Sequence, residues 1–282
     1  MSDLSFKKDG TEFEYRTDPG AVLRAVLQQR HLFTQLVRRD IVGRYRGSLF
    51  GIVWAFLNPL LMLSLYTIVF GMFLRTRWAG SQNSFEFSVV LFAGLILFNF
   101  FAECINRAPM LVVANANYVK KVVFPLEMLA WVAVGTAFFH TVISLIVWVI
   151  FSTLVYGTVH WTLVYLPLIL VPLIFMTIGL VWIVSSLGVY LRDIGQVIGV
   201  ATSVVMFLSP IFYPVDTLPE SFRALLLMNP LTFLIEQARL VMLGGGTPDI
   251  STLAIYMASS IAFAWLALAW FQHARKGFAD VL

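Results

Sequence analysis

The stretch Gly47–Leu74, GSLFGIVWAFLNPLLMLSLYTIVFGMFL, runs for 28 residues without a charged side chain. A helix needs roughly 20 apolar residues to cross the hydrocarbon core of a bilayer, so this run can span with allowance for tilt. The chain reads as an integral membrane protein, and its composition agrees: 60% hydrophobic, 12% charged and 25 Phe in 282 residues, which would leave a water-soluble domain with large apolar patches. Working outward, apolar windows between breakers predict an all-α protein with six spans, at about 50–74, 87–106, 123–151, 162–187, 195–213 and 251–271.

An even number of spans puts both termini on one side, and basic residues name the side. Nine Lys and Arg precede span one, three lie between spans two and three, one between four and five, and two after span six. Only Arg75, Arg77, Arg223 and Arg239 fall on the opposite face, so the expectation is a multi-pass protein with both termini in the cytoplasm. Topology and anionic lipid of the inner leaflet account for the net charge of +4, with no nucleic-acid partner required. The polar, amphipathic start is unlike a cleavable signal, which leaves span one as the insertion signal. The single cysteine, Cys104, can form no internal disulfide and reads as a small packed apolar residue.

Residues 1–46 form the expected cytoplasmic N-terminal segment, and 47–282 a single transmembrane domain. In the first part Val22, Leu23, Val26, Leu27, Phe33, Leu36, Val37 and Ile41 recur at helical spacing, with Arg24, His31, Arg38 and Arg39 between them. This pattern predicts an amphipathic helix lying in the membrane interface, its basic face toward lipid headgroups. Arg38, Arg39, Arg44 and Arg46 then mark the cytoplasmic start of span one.

Three further signals are more local. After span five, prolines at 214, 219 and 230 punctuate two short helical stretches at about 219–228 and 230–243, too short to cross and readable as a re-entrant or interfacial pair. Asn229 is a plausible N-cap ahead of Pro230, and Glu236 and Arg239 sit three apart within reach of each other. In span one Trp54, Asn58, Met62, Tyr66 and Phe70 fall on every fourth residue, and span five carries Gly195, Gly199, Thr202, Ser203, Met206, Ser209 and Pro210. Such stripes either pack against neighbouring helices or line a passage in which sugar rings stack on aromatic faces.

The cytoplasmic connection Arg107–Lys121, opened by Pro109 and carrying Asn115, Asn117, Tyr118, Lys120 and Lys121, reads as a short surface helix suited to a groove in a soluble partner. Glu103 and Arg107, four apart, suggest a local ion pair, and Glu127 a helix N-terminal charge. Arg192 and Asp193 mark either a contact point or a simple turn. His31, His140, His160 and His273 show no metal-ligand spacing, and mid-span His140 reads as hydrogen-bonded to a neighbouring helix. No G-x-x-x-x-G-K-[ST] phosphate loop occurs, so ATP-driven work would need a second polypeptide.

The stretches RRDIVGRYRGSLFGIVWAFLNPLL at 38–61, YLRDIGQVIGV at 190–200, SPIFYPVDTLP at 209–219 and NPLTFLIEQAR at 229–239, in this order, resemble the membrane subunit of ABC-2 type polysaccharide exporters. That family moves lipid-linked O-antigen, capsular polysaccharide or teichoic acid across the bacterial inner membrane. The likeness covers nearly the whole chain. It implies a homodimer of six-helix subunits above two ATPase subunits that bind ATP and Mg, with no cofactor and no catalytic residue in this chain.

It also implies a coupling helix at about 109–121, touching the ATPase through Asn117, Lys120, Lys121, Arg192 and Asp193. Gate helices at about 219–243 would carry Glu236 and Arg239. A substrate path would run along Trp54, Asn58, Met62, Tyr66, Phe70, Thr202 and Met206. An ABC-2 exporter of drugs or other small amphiphiles is the alternative within the family, and a membrane transferase or scaffold working without an ATPase is the alternative outside it.

Overall fold

The computed structural model describes residues 30–73, 84–120, 124–215 and 219–282, and every regular element among them is helical. In chain order these are α1 (Arg30–Tyr45), α2 (Trp54–Tyr66), α3 (Ser84–Leu111), α4 (Ala116–Lys120), α5 (Met128–Tyr156) and α6 (Leu166–Tyr190). After them come α7 (Ile194–Phe207), α8 (Glu220–Leu227), α9 (Pro230–Met242), α10 (Ile250–Ala274) and α11 (Phe278–Val281). Short 3₁₀ turns lead into α2, α4 and α6, and Thr67–Phe73 continues α2 as a π-helix.

Among the described residues, five segments are long and apolar enough to cross a bilayer: Gly51–Phe73, Phe85–Leu111, Met128–Tyr156, Trp161–Tyr190 and Ile250–Val281. The span expected at 195–213 is a 14-residue helix, α7. At 1.5 Å per residue it rises about 21 Å, less than the hydrocarbon thickness of about 30 Å. It stops at Phe207 because Pro210 has no N–H to give and restricts Ser209 before it. The Tyr213 hydroxyl donates to the freed Phe207 carbonyl and Ser209 Oγ to that of Val205.

The centre of the bundle is α3. Phe87, Leu91, Phe92, Leu95, Ile96 and Leu97 are all buried, and the helix is packed on by α5, α6, α7 and α9. Lipid offers no hydrophobic drive for helices to associate, so close approach and hydrogen bonding do that work. The indole of Trp148 in α5 donates to the Val89 carbonyl at 3.0 Å, tying α5 to α3. Where α6 crosses α3, a β-carbon at Gly188 would lie 2.1 Å from the Pro109 carbonyl oxygen, so only glycine fits. Where α6 meets α10, a β-carbon at Gly179 would stand 2.8 Å from the Phe263 ring.

That crossing corrects one boundary. Pro109 does not open a separate surface helix; α3 runs through it to Leu111, with the Pro109 carbonyl close against Gly188. The surface segment is therefore the 3₁₀ turn Val113–Asn115 followed by α4.

The two short helices after α7 lie where the prolines place them. Asn229 caps α9, its Oδ1 accepting from the Leu231 N–H at 3.0 Å while its Nδ2 donates to Ser209 Oγ at 2.9 Å, so the cap is fastened to the break after α7. Pro230 and Leu234 share a groove of about 300 Å³ with Met176 and Ser259, which sit near the middle of α6 and α10. Thus α9 begins at mid-depth and climbs outward until Thr162 Oγ1 donates to its Val241 carbonyl at 2.6 Å. At that end Asp249 caps α10, and hydrogen bonds from Ser251 and Thr252 hold its carboxyl down at about 2.

At the other end α1 leans on α3 and α5. Leu36 and Ile41 are buried, and Phe33 and Val37 close over Gly135 of α5. Val22, Leu23, Val26 and Leu27 of the expected amphipathic pattern lie outside the described residues. Two glycines with left-handed backbone, Gly47 (φ 86°) and Gly51 (φ 51°), join α1 to α2.

Gly188→Ala should lower thermal stability in detergent by about 1–3 kcal/mol through overpacking. Gly199→Ala, with nothing within 4 Å of the new carbon, should be neutral or stabilising by thermal unfolding of the purified protein.

Candidate functional site

Three polar constellations stand out in this apolar bundle, and the first is a belt of charge joining α1 to α3 and α5. Asp40 accepts from Arg107 Nη2 on both carboxylate oxygens, at 2.7 and 2.8 Å, and from the Thr136 hydroxyl at 2.8 Å. One turn on, Arg44 pairs with Glu103 at 2.7 Å, and Glu103 also receives His140 Nδ1 at 2.9 Å. Tyr45 completes the set, its hydroxyl 2.9 Å from His140 Nε2. Burial raises the Tyr45 pKa, which keeps the phenol protonated.

The anticipated local pair of Glu103 with Arg107 is replaced by these longer-range pairs, because α1 supplies an opposite charge to each. His140 is hydrogen-bonded to neighbouring helices, as read from sequence. Glu127 stands at the α5 N-terminus and also meets Arg275 at 3.0 Å. Arg39 reaches the surface segment, donating to the Tyr118 hydroxyl at 2.8 Å while Tyr118 stacks on Phe124 with centroids 4.6 Å apart. Asn117 and Lys120 belong to α4, and Arg192 and Asp193 lie exposed in the turn before α7. Lys121 lies outside the described residues.

The second constellation is Arg239 in α9, only 9% exposed. Its Nε donates to the Val90 carbonyl of α3 at 3.2 Å and its Nη2 to that of Ile211 at 2.7 Å, while Nη1 meets the Pro210 carbonyl. Gly94 makes the room, since a β-carbon there would sit 2.9 Å from Nη2. Glu236, one turn earlier, is exposed. The arginine therefore serves the broken backbone after α7. A guanidinium can do this because its donors fan out in a fixed plane.

The third is a polar stripe on the one face of α3 that its neighbours leave open. Asn99 and Asn106, seven apart and so on one side of the helix, are exposed on a helix otherwise almost wholly buried. Asn106 Oδ1 accepts from the Thr202 hydroxyl of α7 at 3.1 Å. The helices flanking this face, α2 and α7, are themselves poorly covered: Asn58, Met62 and Ser203 are exposed, and Trp54, Tyr66, Phe70 and Met206 are half-buried. Thr202 is buried.

Beyond α2 and α7 the aromatic rings converge. Phe70 packs on Tyr66, on Phe87 of α3 at 5.4 Å and on Phe212 at 6.0 Å, and Phe212 stacks on Phe207. The structure thus brings Tyr66 and Phe70 to the α7 side, while Asn58 and Met62 look outward. Sequence reasoning passed over Asn99, Asn106, Phe207 and Phe212. An amide within an apolar run was the available signal for the first.

Residues 31–243 match the ABC-2 type transporter family, and the chain belongs to it. Among curated relatives it is similar to the O-antigen export system permease protein RfbA of Myxococcus xanthus, 28% identical over 262 residues that cover 92% of this chain and 98% of that protein. RfbA of Klebsiella pneumoniae is 27% identical over 89% of this chain and 95% of its own length. The polysialic acid transport protein KpsM of Escherichia coli is 25% identical over 83% and 85%.

Two outcomes follow from the geometry. Arg239→Met should leave the carbonyls at Pro210 and Ile211 without their side-chain donor and destabilise the protein by about 3 kcal/mol or more, with Arg239→Lys recovering only part, by thermal unfolding. Asp40→Arg and Arg107→Asp should each loosen α1, read as faster proteolysis ahead of Gly47, and the double exchange should restore protection with a coupling of order 1 kcal/mol.

Proposed function

We propose that this chain is the membrane subunit of an ATP-driven exporter that moves a lipid-linked polysaccharide, O-antigen-like or capsular, across the bacterial inner membrane. Two copies form the channel at a homodimer interface, and two copies of a separate ATPase subunit, holding ATP and Mg, drive it. The observation that carries this reading is the polar stripe. Asn99 lies within the uncharged length of α3, Phe87–Ala102, about 24 Å of helix. An exposed amide at that depth has no hydrogen-bond partner in lipid, so protein or a water-filled passage must stand opposite it. The flanking α2 and α7 are the walls of that passage, with Tyr66, Phe70, Thr202 and Met206 toward each other and Trp54, Asn58 and Met62 along the side that the second copy closes.

On this reading the chain has six crossings, the break after α7 completing the fifth, and both termini are cytoplasmic, which puts the charge belt at the inner membrane interface. The segment 113–121 is the coupling element, assisted by Asn117, Lys120, Lys121, Arg192 and Asp193. ATPase closure moves it, and Arg39 hands the motion to α1 through Tyr118. The pair α8 and α9 is the extracytoplasmic gate, with Glu236 and Arg239 as its charged members. Only contacts that differ between open and closed states can drive such a switch. The relatives' export of O-antigen and polysialic acid, as their names state it, supports the substrate class.

Deleting the gene should leave lipid-linked glycan accumulating on the cytoplasmic side while synthesis continues, measured by fractionation and glycan detection. Complementation with Asn99→Leu should restore membrane insertion but lower export at least tenfold. Unchanged surface glycan in the deletion strain would remove the polysaccharide reading.

A further inference from the structure

The belt encloses more than ion pairs. Arg39, Asp40, Gly43, Arg44 and Arg107 line a cavity of about 340 Å³, and Arg39, Asp40 and Arg107 also border a second of about 280 Å³ whose remaining wall is largely apolar, including Leu36, Met110, Leu129 and Val132. Together they make one cleft between α1, α3 and α5 with a cationic half and an apolar half.

The charges facing it do not cancel. Three guanidinium groups, Arg39, Arg44 and Arg107, stand against two carboxylates, Asp40 in the wall and Glu103 behind Arg44, with His140 hydrogen-bonded to Glu103 beyond it. The donors are not used up either: Asp40 takes both its bonds from one amino group of Arg107, and the other, Nη1, is buried without an acceptor. The surplus sits where α3 passes out of its uncharged length at Glu103. Met110, 60% exposed, forms the apolar lip.

We infer that this cleft binds an anionic phospholipid, its phosphate ester among Arg39, Arg44 and Arg107 and the head of its acyl chains along Leu36, Met110, Leu129 and Val132. A soluble anion would satisfy the arginines but has no use for the apolar half. A zwitterionic lipid would fill the apolar half but carries no net charge to match the excess. The lipid mortars α1 to α3 and α5, filling with its own charge the position that the two carboxylates leave open. The assignment stands on the cleft alone and does not depend on what the protein exports.

The test is lipid retention by the purified full chain, taken from nanodiscs of phosphatidylcholine containing a minority of phosphatidylglycerol and examined by native mass spectrometry. Wild type should retain phosphatidylglycerol in preference to phosphatidylcholine. Arg39→Gln, which removes one cation without touching the Asp40 or Glu103 pairs, should weaken that retention about fivefold, the worth of one basic residue at a membrane surface. Met110→Trp, filling the exposed lip, should weaken it comparably, with unchanged helicity and melting temperature showing that the fold survives. Equal retention of the two lipids by wild type would overturn the assignment. So would undiminished retention in both variants, or displacement of the lipid by millimolar inorganic phosphate, which would make the ligand a free anion.

Discussion

A polar atom inside a bilayer has no water to turn to, and the architecture of this chain follows from how α3 meets that constraint. The helix is enclosed by α5, α6, α7 and α9, and partners from several of them reach its polar groups: Trp148 the Val89 carbonyl, Arg239 the Val90 carbonyl, Thr202 the Asn106 amide. Glycines at 94 and 188 admit the closest of these approaches, one for a guanidinium and one for a proline carbonyl. The bundle is therefore organised around hydrogen bonding and contact distance more than around apolar burial, which lipid would supply to any helix.

The same constraint explains how irregular backbone survives at depth. The chain breaks after Phe207, leaving carbonyls at Pro210 and Ile211 that no helix satisfies. Arg239 answers both from α9, and Asn229 at the cap of α9 donates to the Leu208 carbonyl and Ser209 Oγ, so the break and the helix after it are one structural unit. A buried charge is here an instrument of backbone satisfaction, which is a different use from pairing with another side chain.

Much of this was legible in the sequence. The long uncharged runs marked the spanning helices, and Pro230 with Asn229 marked the start of α9 to the residue, because a proline at the first turn and an amide cap are local chemistry. Less legible was whatever depends on helix rotation. Glu103 and Arg107 look like partners at four-residue spacing, yet α1 brings Arg44 and Asp40 to them, and nothing within α3 encodes that arrival. Pro109 looks like a helix start and instead lies inside α3, at the crossing where Gly188 makes room for its carbonyl. Of the aromatic stripe on α2, periodicity named the residues but could not tell that Phe70 turns inward to Phe87 and Phe212 while Met62 turns away.

The joint between α1 and α2 has a mechanical consequence. Gly47 and Gly51 both take left-handed backbone, and neither has a neighbour within 4 Å, so the space around them is free and only their handedness is demanding. On one side α1 is riveted to the bundle by Asp40, Arg44 and Tyr45; on the other α2 runs upward with little cover and ends in the wider winding of a π-helix at Thr67–Phe73. The two ends of this wall are therefore held differently: a glycine joint with open space around it at the foot, and Phe70 packed on Phe87 and Phe212 at the head, so that a tilt of α2 pivots about its π-helical end, as a pendulum does on its hook.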